Sequence, residues 1–285
     1  MISRIIPRLD VKGSNLVKGV HLEGLRVLGK PEVFARHYYE HGADELLFMD
    51  VVASLYGRNS LLDLIERTAN EIFIPLVVGG GLRSLEDIRA VLRVGADKVT
   101  LNTAAVRRPE LISQAARRFG SSTIVVSIEA IRRADGSYEA YTDNGREKTG
   151  LEAVAWAVRA AEMGAGELVI TAIDREGTGR GYDLDLTRRI AQAVPVPVIA
   201  CGGAGSVEHV AQVFDTGAAA AAVASLLHYN FVRRDRTGRH QFADEINLAH
   251  LDRPGFAKVQ DADLLQLKGF LAEHGLVSRP LPAHA

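Results

Sequence analysis

The 285-residue sequence predicts a (β/α)8 barrel built from two repeated half-barrels. Three observations carry that reading. Short apolar runs alternate eight times with amphipathic stretches of helical period. The runs are apolar almost without interruption, as strands of a parallel sheet covered on both faces must be. A long block then recurs without gaps at a fixed offset of 122 residues.

In chain order, the first expected strand is RIIPRLD (4–10), ending in an acid, and its helix is PEVFARHYYEHGA (31–43), opened by a proline. ELLFMD (45–50) and LLDLIERTANEI (61–72) form the second unit, PLVVGG (75–80) and SLEDIRAVLRVGA (84–96) the third. KVTLN (98–102) with PELISQAARRFG (109–120) completes the first half. TIVVSIE (123–129) with GLEAVAWAVRAAEMGA (150–165) opens the second half, followed by ELVITAID (167–174) with DLDLTRRIAQAV (183–194). PVIACGG (197–203) pairs with SVEHVAQVFDTGA (206–218), and AAAVAS (220–225) with the last helix, DLLQLKGFLAEHG (263–275). One domain accounts for residues 1–285. A charged, proline-containing segment at about 230–261 is an expected exposed excursion, and the tail 277–285 is expected to be disordered.

Composition narrows the function classes. With 47% hydrophobic residues, 24% charged and a net charge of −1, the chain reads as globular, with no global basic surface for nucleic acid. Its single cysteine, Cys201, excludes an internal disulfide and a multi-cysteine metal site. No metal or cofactor is expected. The N-terminus lacks the apolar core of a signal peptide and no run approaches a membrane span, so a cytoplasmic protein is expected.

The repeat aligns 74–104 with 196–226: Pro75 falls on Pro197, Gly80 and Gly81 on Gly202 and Gly203, Ser84 on Ser206. Each half therefore carries a glycine-rich strand end leading into a helix, and a following strand that ends in small or polar residues, Asn102–Thr103 in one half and Ala224–Ser225 in the other. Glycines admit an anion to the backbone and a helix start offers unpaired N–H groups, so two phosphate cradles are expected on opposite sides of the mouth. Tight turns with Ser84 and Ser206 as N-caps are the plainer account of the same residues. Two cradles imply a substrate phosphorylated at both ends. Between them, Asp10 and Glu129 end the first strands of the two halves, and opposed carboxylates with different environments serve as general acid and base. Asp50 and Asp174 are further candidates for ordering substrate hydroxyls. At the opposite strand ends, Arg4, Glu45, Lys98 and Glu167 share one level, where two cations and two anions can close a ring.

The stretches RIIPRLDVKGSNLVKG (4–19), GADELLFMD (42–50), VGGGLRS (78–84), GADKVTLNTAA (95–105), GAGELVITAIDREGTGRGYD (164–183) and CGGAGSVEH (201–209) resemble the family of cyclase subunits of imidazole glycerol phosphate synthase, from histidine biosynthesis. The likeness runs from the N-terminus to about residue 230 and resumes at the last helix. It implies that a glutaminase partner, docked on the N-terminal face of the barrel, releases ammonia that passes through the barrel. The ammonia attacks a bisphosphorylated ribulosyl-formimino aminoimidazole carboxamide ribonucleotide, giving imidazole glycerol phosphate and the aminoimidazole carboxamide ribonucleotide. By the same resemblance Asp10 matches the essential acid of the first strand and Lys18 sits on a mobile loop that covers the substrate. Gly81, Asn102 and Thr103 match one phosphate site; Gly203, Ala224 and Ser225 match the other. Arg4, Glu45, Lys98 and Glu167 match an ammonia gate, which a related half-barrel isomerase of the same pathway does not need.

The chain departs from the family at several points. Glu129 stands where the family has Asp, Glu176 replaces an Asp and Cys201 replaces a Ser beside a phosphate; Val27–Leu28 makes the loop after the first strand more apolar. These changes resemble a paralogous branch that delivers ammonia for amidation of surface-polysaccharide sugars, which is the alternative expectation.

Overall fold

The computed structural model of the protein describes residues 2–52, 62–234 and 259–280. Eight parallel strands close a barrel in the order β1 (Arg4–Lys12), β4 (Leu46–Asp50), β5 (Leu76–Gly79), β6 (Lys98–Leu101), β7 (Ile124–Arg132), β10 (Glu167–Ala172), β11 (Val198–Cys201), β12 (Ala220–Val223), and β12 pairs back onto β1. Helices α1 (Pro31–Glu40), α2 (Leu62–Ala69), α3 (Leu85–Arg93), α5 (Glu110–Phe119), α6 (Ala153–Glu162), α7 (Leu184–Ala193), α8 (Val207–Phe214) and α10 (Leu264–Glu273) sit where the helical periods place them. Expected and observed bounds differ by a few residues: β5 and β11 end before Gly80 and Gly202, while β1 and β7 run past their expected ends into antiparallel pairing.

Successive residues of a strand face opposite ways, and the core divides accordingly. Ile6, Leu47, Val77, Val125, Val169, Ile199 and Ala220 fill the barrel interior. Ile5, Leu9, Leu46, Phe48 and their counterparts face outward, against the helices. The capping serines behave as the plainer account has them: Ser84 Oγ accepts from the Asp87 N–H within a reciprocal capping box, and Ser206 Oγ accepts from the His209 N–H.

Four strands and two helices are additional to the expected eight units. The chain after β1 turns back as the antiparallel strands β2 (Asn15–Val20) and β3 (Glu23–Gly29), and the chain after β7 does the same with β8 (Tyr138–Thr142) and β9 (Glu147–Glu152). Two-residue and Gly-containing turns make this possible: Gly13 takes φ +60° between the paired Lys12 and Asn15. The halves also share helices α4 (Thr103–Arg107) and α9 (Ser225–Arg234), which begin at repeat-equivalent positions. The twofold likeness of the halves thus extends to their mouth-side insertions.

Of the segment expected as an excursion, 235–258 lies outside the described residues. Within its described parts, Ser225–Arg234 is helical and the Gln260 N–H bonds the Gly205 carbonyl. In the tail, the Val277 carbonyl accepts from the Ser3 N–H and the Arg279 carbonyl from Lys268 Nζ; 281–285 lie outside the described residues.

Candidate active site at the barrel mouth

The C-terminal strand ends gather the expected acids. Glu129 is buried on β7, and its Oε2 accepts the Gly145 backbone N–H at 2.7 Å. Burial pushes the Glu129 carboxyl up to about 7, against the opposing pull of Arg8 and of the Gly145 N–H; the charges of Asp10 and Asp143 push the same way as burial. A carboxyl poised near neutrality exchanges a proton readily in both directions. Asp10 is buried on β1 and accepts Arg8 Nε at 2.8 Å on Oδ1.

Beside Glu129 opens a cavity of about 240 Å³ lined by Asp50, Gly80, Gly81, Asn102, Thr103 and the arginines Arg83, Arg107 and Arg108. Gly80 and Gly81 take φ of +101° and +71°, and a Cβ on Gly80 would lie 2.3 Å from the Asp50 carbonyl, so glycine is required there by packing alone. Asn102 is the N-cap of α4 without a side-chain cap bond, and the helix start lines the cavity. Thr100 Oγ1 is buried beside the cavity with no hydrogen-bond partner, a group that a bound polar ligand would satisfy. Arg107 pairs with Asp143 at 2.9 Å, and Asp143 N–H donates to Thr103 Oγ1 at 3.1 Å. The β8–β9 turn therefore forms one rim of this pocket.

The second cradle is present but closed. Gly202, Gly203, Ala224 and Ser225 surround a space of only about 10 Å³, which Glu176 and Cys201 help to wall. Glu176, in that wall, is held by Lys18. Lys18 was expected on a mobile covering loop; it lies instead in β2, 4% exposed, its ammonium paired with the Glu176 carboxylate. Burial works against both charges, yet each outweighs it for the other: Lys18 is held above its ordinary pKa and Glu176 below its own. The turn of the β2–β3 hairpin is tied down too, with the His21 N–H bonded to the Glu176 carbonyl at 2.8 Å. The two repeat-related cradles thus differ, one open and one narrow, with an ion-paired Glu176 in the wall of the narrow one.

Asp174 is not drawn into either cradle. It occupies an exposed turn after β10, because the strand ends at Ala172 and the chain turns outward. Arg8 is the buried group that sequence reasoning missed. Its position two residues before Asp10 on an alternating strand was the available signal. Arg83, Arg107 and Arg108 were missed as well, since a doublet of arginines at a helix end reads as a solvated face. Among the described residues, no three His, Cys, Asp or Glu side chains are placed to hold a metal ion, and no helix is long and apolar enough to cross a membrane.

At the other end of the barrel the four expected charges close a ring. Arg4 Nη1 bonds Glu45 Oε2 at 2.9 Å and Arg4 Nη2 bonds Glu167; Lys98 Nζ bonds Glu45 and Glu167 at 2.9 Å each. Burial raises the Glu45 pKa, Lys98 counters it, and the neighbouring Glu167 adds to the rise. Beside the ring lies a cavity of about 610 Å³ whose lining includes Ile2, Arg4, Lys98, Glu167 and Pro195. Ile2 and Phe73 are exposed, the latter 78%.

A family model described as "Histidine biosynthesis protein" matches residues 4–233. Similar proteins carry the name imidazole glycerol phosphate synthase subunit HisF. That of Legionella pneumophila is 56% identical over 205 residues, covering 72% of this chain and 97% of the relative. That of Alkaliphilus metalliredigens (strain QYMF) is 53% identical over 230 residues, covering 80% and 91%, and that of Synechococcus sp. (strain CC9311) is 55% identical over 230 residues, covering 79% and 88%.

Proposed function

The chain belongs to the histidine biosynthesis protein family, and from that premise we propose that it is the cyclase subunit of imidazole glycerol phosphate synthase, an enzyme that works with a glutaminase partner. The expected alternative, a subunit that delivers ammonia for sugar amidation, is not favoured, because relatives above 50% identity bear the cyclase name.

The observation that supports the reading is the placing of two charged sites at opposite ends of one barrel. A ring of Arg4, Glu45, Lys98 and Glu167 closes one end, and Asp10 and Glu129 stand at the other. Ammonia released by a glutaminase docked at the exposed Ile2 and Phe73 end enters past the ring and meets substrate at the mouth. One substrate phosphate sits against Gly81, Asn102 and Thr103, where Arg83, Arg107 and Arg108 supply positive charge. The other enters at Gly203, Ala224 and Ser225, where it displaces the Glu176 carboxylate and takes Lys18 as its counter-ion. Glu129, near half-protonated at neutrality, gives a proton to the leaving amine or takes one from the attacking nitrogen, and Asp10 does the complementary transfer.

The test is direct. Purified chain, the bisphosphorylated ribulosyl-formimino substrate and ammonium salt at alkaline pH should yield imidazole glycerol phosphate. Substrate that binds without yielding that product would overturn the reading.

A further inference from the structure

One fully buried cation between the ring and the acids has no part in the scheme above. Alternation along β1 puts Arg4, Ile6, Arg8 and Asp10 on the inward face, with Arg4 in the ring, Ile6 in the apolar interior and Asp10 at the mouth. Arg8 is 3% exposed. Its Nε donates to Asp10 Oδ1 at 2.8 Å, and its Nη1 reaches Thr171 Oγ1 and Cys201 Sγ, each at 3.2 Å. Around the barrel, β12 and then β11, bearing Cys201, separate β1 from β10, bearing Thr171. A side chain rooted on β1 that touches β10 and β11 spans the interior. An eight-stranded barrel has an interior only wide enough for side chains to fill, so this guanidinium occupies the passage immediately beneath Asp10.

We propose that Arg8 is an inner gate across the bore, latched to Asp10 at one end and to Thr171 and Cys201 at the other, which must swing aside for ammonia to reach the mouth. The inference rests on the reading that ammonia travels through the barrel. A guanidinium does not deprotonate at working pH, so the gate opens only by exchanging partners. Glu129 lies within the field of Arg8 and offers a second carboxyl to receive it. Arg8 is thereby a positioning residue for Asp10 and makes ammonia arrival depend on the state of the acid pair.

The experiment compares two ammonia sources in the complex of the full chain with its glutaminase. Ammonium salt in solution reaches the open mouth directly; ammonia from glutamine must pass Arg8. The rate of imidazole glycerol phosphate formation from glutamine, divided by the rate from ammonium salt, cancels any change in the chemistry they share. Thr171→Val removes the hydroxyl contact of the far latch, leaves the weaker one to Cys201 and keeps the Asp10 pair; the ratio should rise about threefold or more, the effect of one hydrogen bond holding the gate shut. Arg8→Lys keeps a charge beside Asp10 but is too short to span the bore, and its ratio should rise at least as far. A ratio equal to that of the parent in both variants, with ammonium-driven turnover retained, overturns the gate and leaves Arg8 as support for Asp10. Absence of product from ammonium salt in the parent instead overturns the cyclase reading, and the gate with it.

Discussion

The backbone N–H of Gly145 donates to Glu129 Oε2 at 2.7 Å, tying an acid at the end of a barrel strand to the tip of the hairpin that follows it. The extra methylene of glutamate is what lets the carboxylate reach that N–H. Glu129→Asp retracts the carboxylate by about 1.5 Å and breaks the contact. Ammonium-driven kcat should fall about 10- to 100-fold with KM little changed, as steady-state kinetics on parent and variant will read.

The same buried carboxyl makes stability depend on pH. Its folded pKa of about 7 lies above its ordinary value of 4.5, so between those values the native state holds a proton that the unfolded chain has released. Stability contributed by this group is present below pH 4.5, declines as pH rises towards 7 and is flat above; the change is at most about 3 kcal/mol. Urea unfolding at pH 5 and pH 8 should show that decline in the parent and a smaller one in Glu129→Gln. The ammonium-driven rate of the parent should show a titration near pH 7 that Glu129→Gln lacks.

Lys98 bonds both acids of the ring, so Lys98→Ala leaves Glu45 and Glu167 to share Arg4 alone. Glutamine-driven product formation should fall several-fold per glutamate released, while ammonium-driven turnover holds within about threefold. Because Lys98 is partly solvated, the loss of stability should stay near 1–2 kcal/mol rather than reach the cost of a fully buried pair, as denaturant midpoints will report.

Lys18 and Glu176 are both buried, so removing one strands the other. Glu176→Gln should destabilise the chain by about 3 kcal/mol unless phosphate is present, and inorganic phosphate should restore much of the loss by taking the place of the carboxylate beside Lys18. Lys18→Met should raise KM for the bisphosphorylated substrate about tenfold or more, with no such phosphate rescue. Thermal midpoints against phosphate concentration separate the two variants.

Much of the architecture is legible in the residues because it depends on local period and on repetition. Near-continuous apolar runs mark β4, β5, β10 and β11, and the 122-residue offset places Gly80 opposite Gly202 without any coordinate. The second pair of hairpin turns is legible too: Asn144–Gly145 and Asp135–Gly136, flanked by alternating residues, are strong short-range hairpin signals. A barrel expectation assigns everything between strand and helix to loop and so leaves these turn signals unused.

By itself, then, the sequence determined which strand end or start carries each charged group: Asp10 and Glu129 at one end, Arg4, Glu45, Lys98 and Glu167 at the other. Strand period and chain repeat are properties of neighbours along the chain. Only the tertiary structure decided which of these groups are paired and which are free to act. Repeat-equivalent cradles became one open pocket and one narrow space walled by Glu176, and Arg8 came to join Asp10 to Thr171 and Cys201. Those outcomes depend on side chains brought together from strands far apart in sequence, where the cost of burying a charge selects a partner that no local pattern names.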